Sequence, residues 1–313
     1  MSNINKLIKV IFVSTICLIL AIPSLYMLGN KENTLIYGRE NITPLPSLQE
    51  KAFIDKQFQK QFENWWQSHF YGRKIALKLK NQIYDWANLG RIHSGYSRCV
   101  IQGKDNYLFE RAYFKTCKNI PQEIQKIKEL KKFLDKKGIE LYVIVAPNKV
   151  VTYFDKIPQR FAYFYKNSCH HSQKIEEKLE TMGINVFNAQ SIMYQMRKKE
   201  SYEPFSVTGT HWNHYGAGRT LQEASKVFGW GKIDILKMET QDKPYTTERD
   251  IANLLNLIIP YYPHQNFYRP IFKQSRALDG KTTIIGNSFS NEFKIALLNS
   301  GLVSSKNPSI YIT

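Results

Sequence analysis

Segments of helical and strand character alternate through the middle of this 313-residue chain. The pattern begins with two helix–strand steps, a helix at 121–137 with a strand at 139–146 and a helix at 172–182 with a strand at 184–187. A further helix at 217–228 and a strand that ends at Ile285 follow. Gly138 and Gly183 supply the turn within each of the two steps. Helices that alternate with strands in this way cover both faces of a mainly parallel sheet. We therefore expect an α/β sandwich.

A serine follows the last predicted strand. Residues 281–285, Lys-Thr-Thr-Ile-Ile, are rich in β-branched side chains and are followed by Gly286, Asn287 and Ser288. Asn287 and Ser288 are thus predicted at the carboxyl end of a strand, where open α/β sheets bind their ligands, and Asn287 is a candidate substrate contact. N–H groups at the start of the next helix are suited to hold an oxyanion. The alternative is that Ser288 or Ser290 only caps that helix.

A histidine precedes this serine in residues 208–217, Thr-Gly-Thr-His-Trp-Asn-His-Tyr-Gly-Ala. A neutral imidazole at His211 could take the hydroxyl proton of Ser288 and make it a nucleophile. Trp212 either stacks on a sugar ring or packs in the core, and His214 is a rival base. No third metal ligand accompanies His211 and His214, so no metal site is predicted. No cofactor is predicted either.

These segments resemble the alginate O-acetyltransferase family of the AlgJ and AlgX type. Residues 286–290 are similar to the Gly-Asp-Ser nucleophile block of SGNH-type hydrolases, and residues 208–217 resemble the family's Asp-Thr-His-Trp motif. The histidine motif precedes the serine motif in the family, as it does here. Three further blocks resemble family segments in the same order: 40–78, 103–109 and 141–149. The resemblance implies an SGNH-hydrolase-like three-layer sandwich with a mainly parallel sheet.

The sequence departs from the family motif two residues before the histidine, where the aspartate is replaced by Gly209. That aspartate would orient the imidazole and stabilise its protonated form. A dyad without an acid, a carboxylate from elsewhere in the chain, and a site that binds without catalysing all remain open. Asp250 is the candidate for the second case. Its alternative role is that of a carboxylate favoured at a helix start.

Residues 147–149, Pro-Asn-Lys, lie at the carboxyl end of another predicted strand. Asn148 could donate to an oxyanion, and Lys149 could bind a carboxylated sugar. The alternative is a turn with a solvated lysine.

The N-terminus carries an uncharged run of 19 residues, 10–28, behind Lys6 and Lys9. This length can cross a bilayer, and the basic residues favour a cytoplasmic N-terminus with an exported body. A cleaved signal peptide is the alternative. The predicted organisation is an anchor or signal at 1–29, a linker at 30–49 and an SGNH-hydrolase-like catalytic domain at 50–313. The protein is predicted to cross the inner membrane once and to place its catalytic domain in the periplasm or another extracytoplasmic space. In an oxidising compartment Cys99 and Cys117 could pair, leaving Cys169 over.

The formal net charge of +18 would attract polyanions. No nucleic-acid motif occurs and the lysines are spread through predicted helices, so nucleic acid is not a predicted partner. The resemblance implies that Ser288 passes acetyl groups to hydroxyls of an exported polysaccharide, with a membrane-bound O-acyltransferase as supplier. A carbohydrate esterase and a non-catalytic polysaccharide-binding scaffold are the alternatives.

Overall fold

A computed structural model describes most of the chain. The described residues are 2–29, 43–47, 57–69, 72–87, 91–93, 99–114, 120–159, 161, 172–273, 275–303 and 309–312. Their contacts divide the chain into two compact units. The first comprises Met1–Arg98 with Leu254–Pro260, and the second Cys99–Asn253 with Tyr261–Thr313. The domain limits predicted from the sequence stay a prediction.

The first unit is mainly helical. Its elements are α1 (Ser2–Gly29), α2 (Gln57–His69), α3 (Arg73–Trp86) and the short strand β1 (Arg91–His93). Asn81 of α3 is buried and donates through Nδ2 to the carbonyl of Leu255, and Gln82 accepts from the N–H of Ile259. These two hydrogen bonds join α3 to the returning segment at 254–260.

The predicted membrane segment forms the helix α1, but its role as a span is not confirmed. Apolar side chains of α1 such as Leu7, Ile11 and Phe12 are exposed. Part of the predicted run, at 19, 20 and 23–29, lies outside the residues whose side chains are described. Across the described residues, no helix combines the length and the hydropathy that a membrane crossing requires.

The second unit mixes helices and strands. Its strands are β2 (Cys99–Gln102), β3 (Leu108–Glu110), β4 (Tyr142–Val145), β5 (Asn185–Asn188), β6 (Ile235–Gln241), β7 (Phe267–Phe272), β8 (Thr283–Gly286) and β9 (Ser309–Ile312). Its helices are α4 (Ile120–Asp135), α5 (Lys149–Thr152), α6 (Ser172–Glu180), α7 (Ala189–Lys199), α8 (His214–Phe228), α9 (Asp250–Leu254) and α10 (Ser290–Asn299). The α/β content predicted from the alternation is confirmed.

The β4–β5 pair shows the expected layered packing. The two strands are parallel, with Tyr142 opposite Asn185 and Val145 opposite Asn188. Val186 packs in a small cluster formed with α4 and α6, whereas its neighbour Phe187 packs in the main core. Successive strand residues point to opposite faces, so core material covers this pair on both sides.

The prediction of one mainly parallel sheet is wrong for the described residues. β8 and β9 are parallel, but β2–β3 and β6–β7 are antiparallel, and β4–β5, β6–β7 and β8–β9 form separate two-stranded sheets. The helix–strand alternation breaks after α8, where the chain enters an antiparallel strand instead of a parallel one. The connection from β6 to β7 contains α9 and therefore brings Asp250 into the fold.

The side chains of Cys99, Cys117 and Cys169 lie outside the described residues, and their pairing stays a prediction.

Candidate active site

Ser288, His211 and Asp250 meet in the second unit. His211 Nε2 lies 2.7 Å from the hydroxyl oxygen of Ser288, and His211 Nδ1 lies 2.6 Å from Oδ2 of Asp250. This is the order of contacts in a Ser–His–Asp triad, in which the imidazole takes the serine proton and the carboxylate faces the other ring nitrogen. The geometry therefore provides a nucleophile, a base and an acid partner in one place.

Ser288 lies in the turn between β8 and α10 and its side chain is exposed. The turn is closed by the N–H of Ser290, which donates to the carbonyl of Asn287, and by the N–H of Asn291, which donates to the carbonyl of Ser288. The N–H of Ser288 has no acceptor among the described residues. It is a donor available to a bound oxyanion.

His211 lies just before α8, whose start is fixed by Asn213: the Oδ1 of Asn213 accepts from the N–H of Gly216 at 2.8 Å. The imidazole is buried, and the ring of Phe289 lies 4.6 Å from it, centroid to centroid. Burial lowers the pKa of His211, but three carboxylates outweigh this effect and the pKa is raised above its ordinary 6.5. They are Asp250, Glu292 and Glu110.

Asp250 is held by its other oxygen. Oδ1 accepts from the N–H of Thr210 and the N–H of Ile251, both at 2.7 Å. Oδ2 approaches His211 Nδ1 at an ion-pair distance but off the hydrogen-bond axis of the ring N–H. The carboxylate is thus oriented by backbone donors on the histidine segment and on α9.

Gly209 explains why the acid comes from a different segment. A Cβ at this position would lie 2.6 Å from the carbonyl oxygen of Thr247 and 2.8 Å from the Ser206 hydroxyl. Such distances are closer than van der Waals contact allows, so no aspartate fits at 209 in this backbone. The backbone of residues 247–248 fills the space where a side chain at 209 would lie. Because this backbone packs so closely against Gly209, Asp250 two residues later reaches His211.

Lys149 is buried and not solvated, and its predicted contact with a carboxylated sugar stays a prediction. It is 4% exposed, and its ammonium group donates to the carbonyls of Leu108, Ser206, Val207 and Gly209 at 2.7–3.0 Å. Burial lowers its pKa to about 7, and Asp250 opposes the shift. A neutral amine would turn its lone pair toward carbonyl oxygens, so the ring of carbonyls favours the ammonium form. Lys149 holds the segment that leads to His211.

Trp212 packs in the core, which is the second of the two roles that the sequence allowed for it. It is 2% exposed and packs against Phe293, with its ring 23° from parallel. Its Nε1–H donates to the carbonyl of Phe289 at 2.8 Å. This bond joins the residue after His211 to the residue after Ser288.

The two asparagines have local roles in the structure. Oδ1 of Asn148 accepts from the N–H of Val150 and caps α5, and Oδ1 of exposed Asn287 accepts from the N–H of Phe289. Neither bond uses the side-chain amide N–H groups. Their predicted roles as oxyanion or substrate contacts stay predictions.

His214, the rival base, is buried away from Ser288 on the first turn of α8. Its ring stacks on Tyr245 at 4.5 Å and 9°. Burial, assisted by the Arg269 charge, lowers its pKa to about 4. The side chain that contacts Ser288 is His211.

Sequence reasoning did not find the buried charges behind the triad. Glu248 and Arg269 form a bidentate pair with two 2.6 Å contacts, and the Glu248 carbonyl accepts from the hydroxyls of Ser206 and Thr208. Glu292, 2% exposed, accepts from the Thr247 hydroxyl. The spacing of Glu292, four residues after Ser288 at a predicted helix start, was the only signal of it in the sequence.

Three solved structures align with this chain at low similarity. The O-acetyltransferase domain of Pseudomonas putida AlgJ aligns at 18% identity over 68% of this chain and 78% of its own, with a TM-score of 0.45. AlgX of Pseudomonas aeruginosa aligns at 18% identity over 69% and 54%, with a TM-score of 0.46. PatB1 of Bacillus cereus aligns at 14% identity over 69% and 88%, with a TM-score of 0.43.

None of the curated protein sequences matches this chain significantly. A family model does match: the SGNH hydrolase-like domain of acetyltransferase AlgX, over residues 100–259. The match covers just over half of the chain and includes His211, Asp250 and Lys149. The chain belongs to the family of AlgX-type acetyltransferases with an SGNH hydrolase-like domain.

Proposed function

We propose that this protein is a polysaccharide O-acetyltransferase that carries the acetyl group on Ser288. The observation that supports this most directly is the 2.7 Å contact between His211 Nε2 and the Ser288 hydroxyl, with Asp250 behind the ring. The exposure of Ser288 gives an acyl donor access to the nucleophile.

In the first half-reaction, the Ser288 hydroxyl gives its proton to His211 Nε2 as the oxygen bonds to the carbonyl carbon of an acetyl ester donor. The tetrahedral oxyanion is held by the Ser288 N–H, with the Asn287 amide as a proposed second donor. The donor's carbon–oxygen bond breaks, and its leaving oxygen takes the proton from His211. Acetyl-Ser288 remains.

In the second half-reaction, His211 takes a proton from a sugar hydroxyl, and the sugar oxygen attacks the acetyl carbonyl. The bond to Ser288 breaks, and the serine oxygen recovers its proton from His211. Asp250 stabilises the protonated imidazole in both halves. No cofactor takes part.

The acceptor and the acetyl supplier are proposed by analogy with the family. We propose an exported polysaccharide as acceptor and a membrane-bound O-acyltransferase as the source of acetyl groups. The uncharged run at 10–28 behind Lys6 and Lys9 supports an extracytoplasmic location, because such a run directs the following chain across the inner membrane.

Intact-protein mass spectrometry tests the proposal. The protein is incubated with 4-nitrophenyl acetate, and a gain of one acetyl group is expected on Ser288. Ser288→Ala should abolish the gain and His211→Ala should nearly abolish it. The matched controls are Ser201→Ala and His264→Ala, which change exposed residues and should label like the parent.

Adding an oligosaccharide acceptor then separates transfer from hydrolysis. A transferase loses the acetyl label faster with acceptor than with water and forms acetylated sugar. Release of acetate at a rate independent of the sugar would identify an esterase instead. Equal labelling of the parent and Ser288→Ala would overturn the assignment of Ser288.

A further inference from the structure

Glu292 is a buried carboxylate that the mechanism above does not use. It lies in the first turn of α10, four residues after Ser288, and is 2% exposed. Oε1 accepts from the Thr247 hydroxyl, whereas Oε2 is buried with no hydrogen-bond partner among the described residues. A buried carboxylate with an unpaired oxygen is costly, so its position calls for a reason.

The bond from Thr247 closes a triangle of contacts around the triad. The His211 segment is tied to the Ser288 turn by Trp212 Nε1–H and the Phe289 carbonyl. The His211 segment is also tied to the Asp250 segment, where Thr208 Oγ1 donates to the Glu248 carbonyl at 2.9 Å. The pair formed by Thr247 and Glu292 is the third side and joins the Asp250 segment to α10.

Three carboxylates act on His211, and the ammonium group of Lys149 acts on Asp250. Carboxylates of Asp250 on α9, Glu110 on β3 and Glu292 on α10 act on His211. Burial raises the pKa of Glu292 above its ordinary value, and the bond from Thr247 and the charge of His211 oppose this shift. Glu248 is paired with buried Arg269, so its charge is compensated, whereas Glu292 forms no ion pair with a lysine or arginine among the described residues.

We infer that Glu292 is a positioning residue for the acyl transfer: through Thr247 it fixes the Asp250 segment against the start of α10, and its buried carboxylate stabilises protonated His211. This inference rests on the proposed function. In the family motif an aspartate stands where this chain has Gly209. Its negative charge is supplied here by Asp250, which contacts the imidazole, and by Glu292 on the helix after Ser288.

Two substitutions separate the bond from the charge. Glu292→Gln keeps an oxygen acceptor for Thr247 and removes the charge. Thr247→Val keeps the charge and removes the hydroxyl. Glu180→Gln, which changes an exposed carboxylate at the end of α6, is the matched control. The measurements are kcat and kcat/KM for release of 4-nitrophenol as a function of pH, with urea unfolding of each variant.

Glu292→Gln should move the rising limb of the pH profile to lower pH, because a carboxylate that favours protonated His211 has been removed. Thr247→Val should move the limb less than Glu292→Gln does and should lower kcat by roughly 10- to 100-fold, as displacement of a catalytic segment does. Glu180→Gln should match the parent.

A Glu292→Gln profile that coincides with that of the parent would overturn the electrostatic role, and a Thr247→Val enzyme with full kcat would overturn the positioning role. If Glu292→Gln does not fold, Glu292→Asp supplies the second test: it retains the charge at a shorter reach and should resemble Thr247→Val. Failure of the parent to acetylate Ser288 would count against the proposed function and not against Glu292.

Discussion

At the scale of single residues, Gly209 and Asp250 form a complementary pair. The missing side chain at 209 makes room for the backbone of 247–248, which passes within 2.6–2.8 Å of the place a Cβ would take. That same backbone carries Asp250 to within 2.6 Å of His211 Nδ1. The carboxylate next to His211 therefore comes from the segment after residue 248, and this segment can approach only because residue 209 has no side chain.

Asp250→Asn should lower kcat by roughly 10²- to 10⁴-fold, because the protonated imidazole loses its counter-charge. The activity of the parent should rise with pH through a value above 6.5, since the base is neutral His211 and its pKa is raised. In Asp250→Asn that limb should move to lower pH. Rates of 4-nitrophenyl acetate cleavage across pH check both expectations.

The control for this prediction is the double variant with Gly209→Asp and Asp250→Asn. It should not recover activity, because an aspartate at 209 would overlap the backbone of Thr247. Recovery to the level of the parent would show that the backbone of 247–248 can withdraw, and it would contradict the fit described for Gly209.

At the scale of elements, the segment that leads to His211 is held from two sides. Lys149 at the start of α5 gathers four carbonyls, including those of Ser206 and Gly209. The same segment also contacts the residues just before α9, because the hydroxyl of Thr208 donates to the carbonyl of Glu248. The carboxylate of Glu248 is in turn paired with Arg269 on β7. The histidine is thus positioned by buried polar contacts and not by a regular strand or helix.

Lys149→Met should lower the free energy of unfolding by at least about 3 kcal/mol, because several buried carbonyls lose their donor. Urea denaturation followed by circular dichroism measures this change. Lys132→Met, which changes an exposed lysine on α4, should stay within about 0.5 kcal/mol of the parent. Equal midpoints for both variants would show that the four bonds at Lys149 contribute nothing net.

At the scale of the whole molecule, the net charge of +18 sets the long-range field. A basic protein attracts an acidic polymer, and salt screens the attraction as the Debye length falls from about 30 Å at 0.01 M to about 8 Å at 0.15 M. If the acceptor is a polysaccharide, as proposed, this charge would favour the binding of an acidic one over a neutral one.

If the acceptor is acidic, KM for a uronic-acid oligosaccharide should rise as sodium chloride is raised from about 0.01 to about 0.15 M. KM for a neutral oligosaccharide of the same length should change little. Initial rates of acetyl transfer measure both constants. An equal rise of KM for the two sugars would show that salt acts on the enzyme itself and not on its electrostatic attraction for the acidic sugar.

Local patterns in the sequence determined the α/β class, the helix–strand steps before β4 and β5, and the two segments that carry His211 and Ser288. These depend on propensity and spacing, which are properties of neighbouring residues. Gly209 was visible as a departure from the family motif, and Asp250 was one of the alternatives for its replacement.

Only the tertiary structure decided which carboxylate faces His211, that Lys149 and Trp212 are buried, and that Glu292 lies behind the triad. Each depends on contacts between residues about 40 or more positions apart. Because Lys149 is buried, its ammonium group donates to backbone carbonyls and is not exposed to a ligand. Burial depends on the packing of distant segments, which local sequence patterns do not encode. The antiparallel β6–β7 pair has the same origin, since strand direction is fixed by the path of the whole chain.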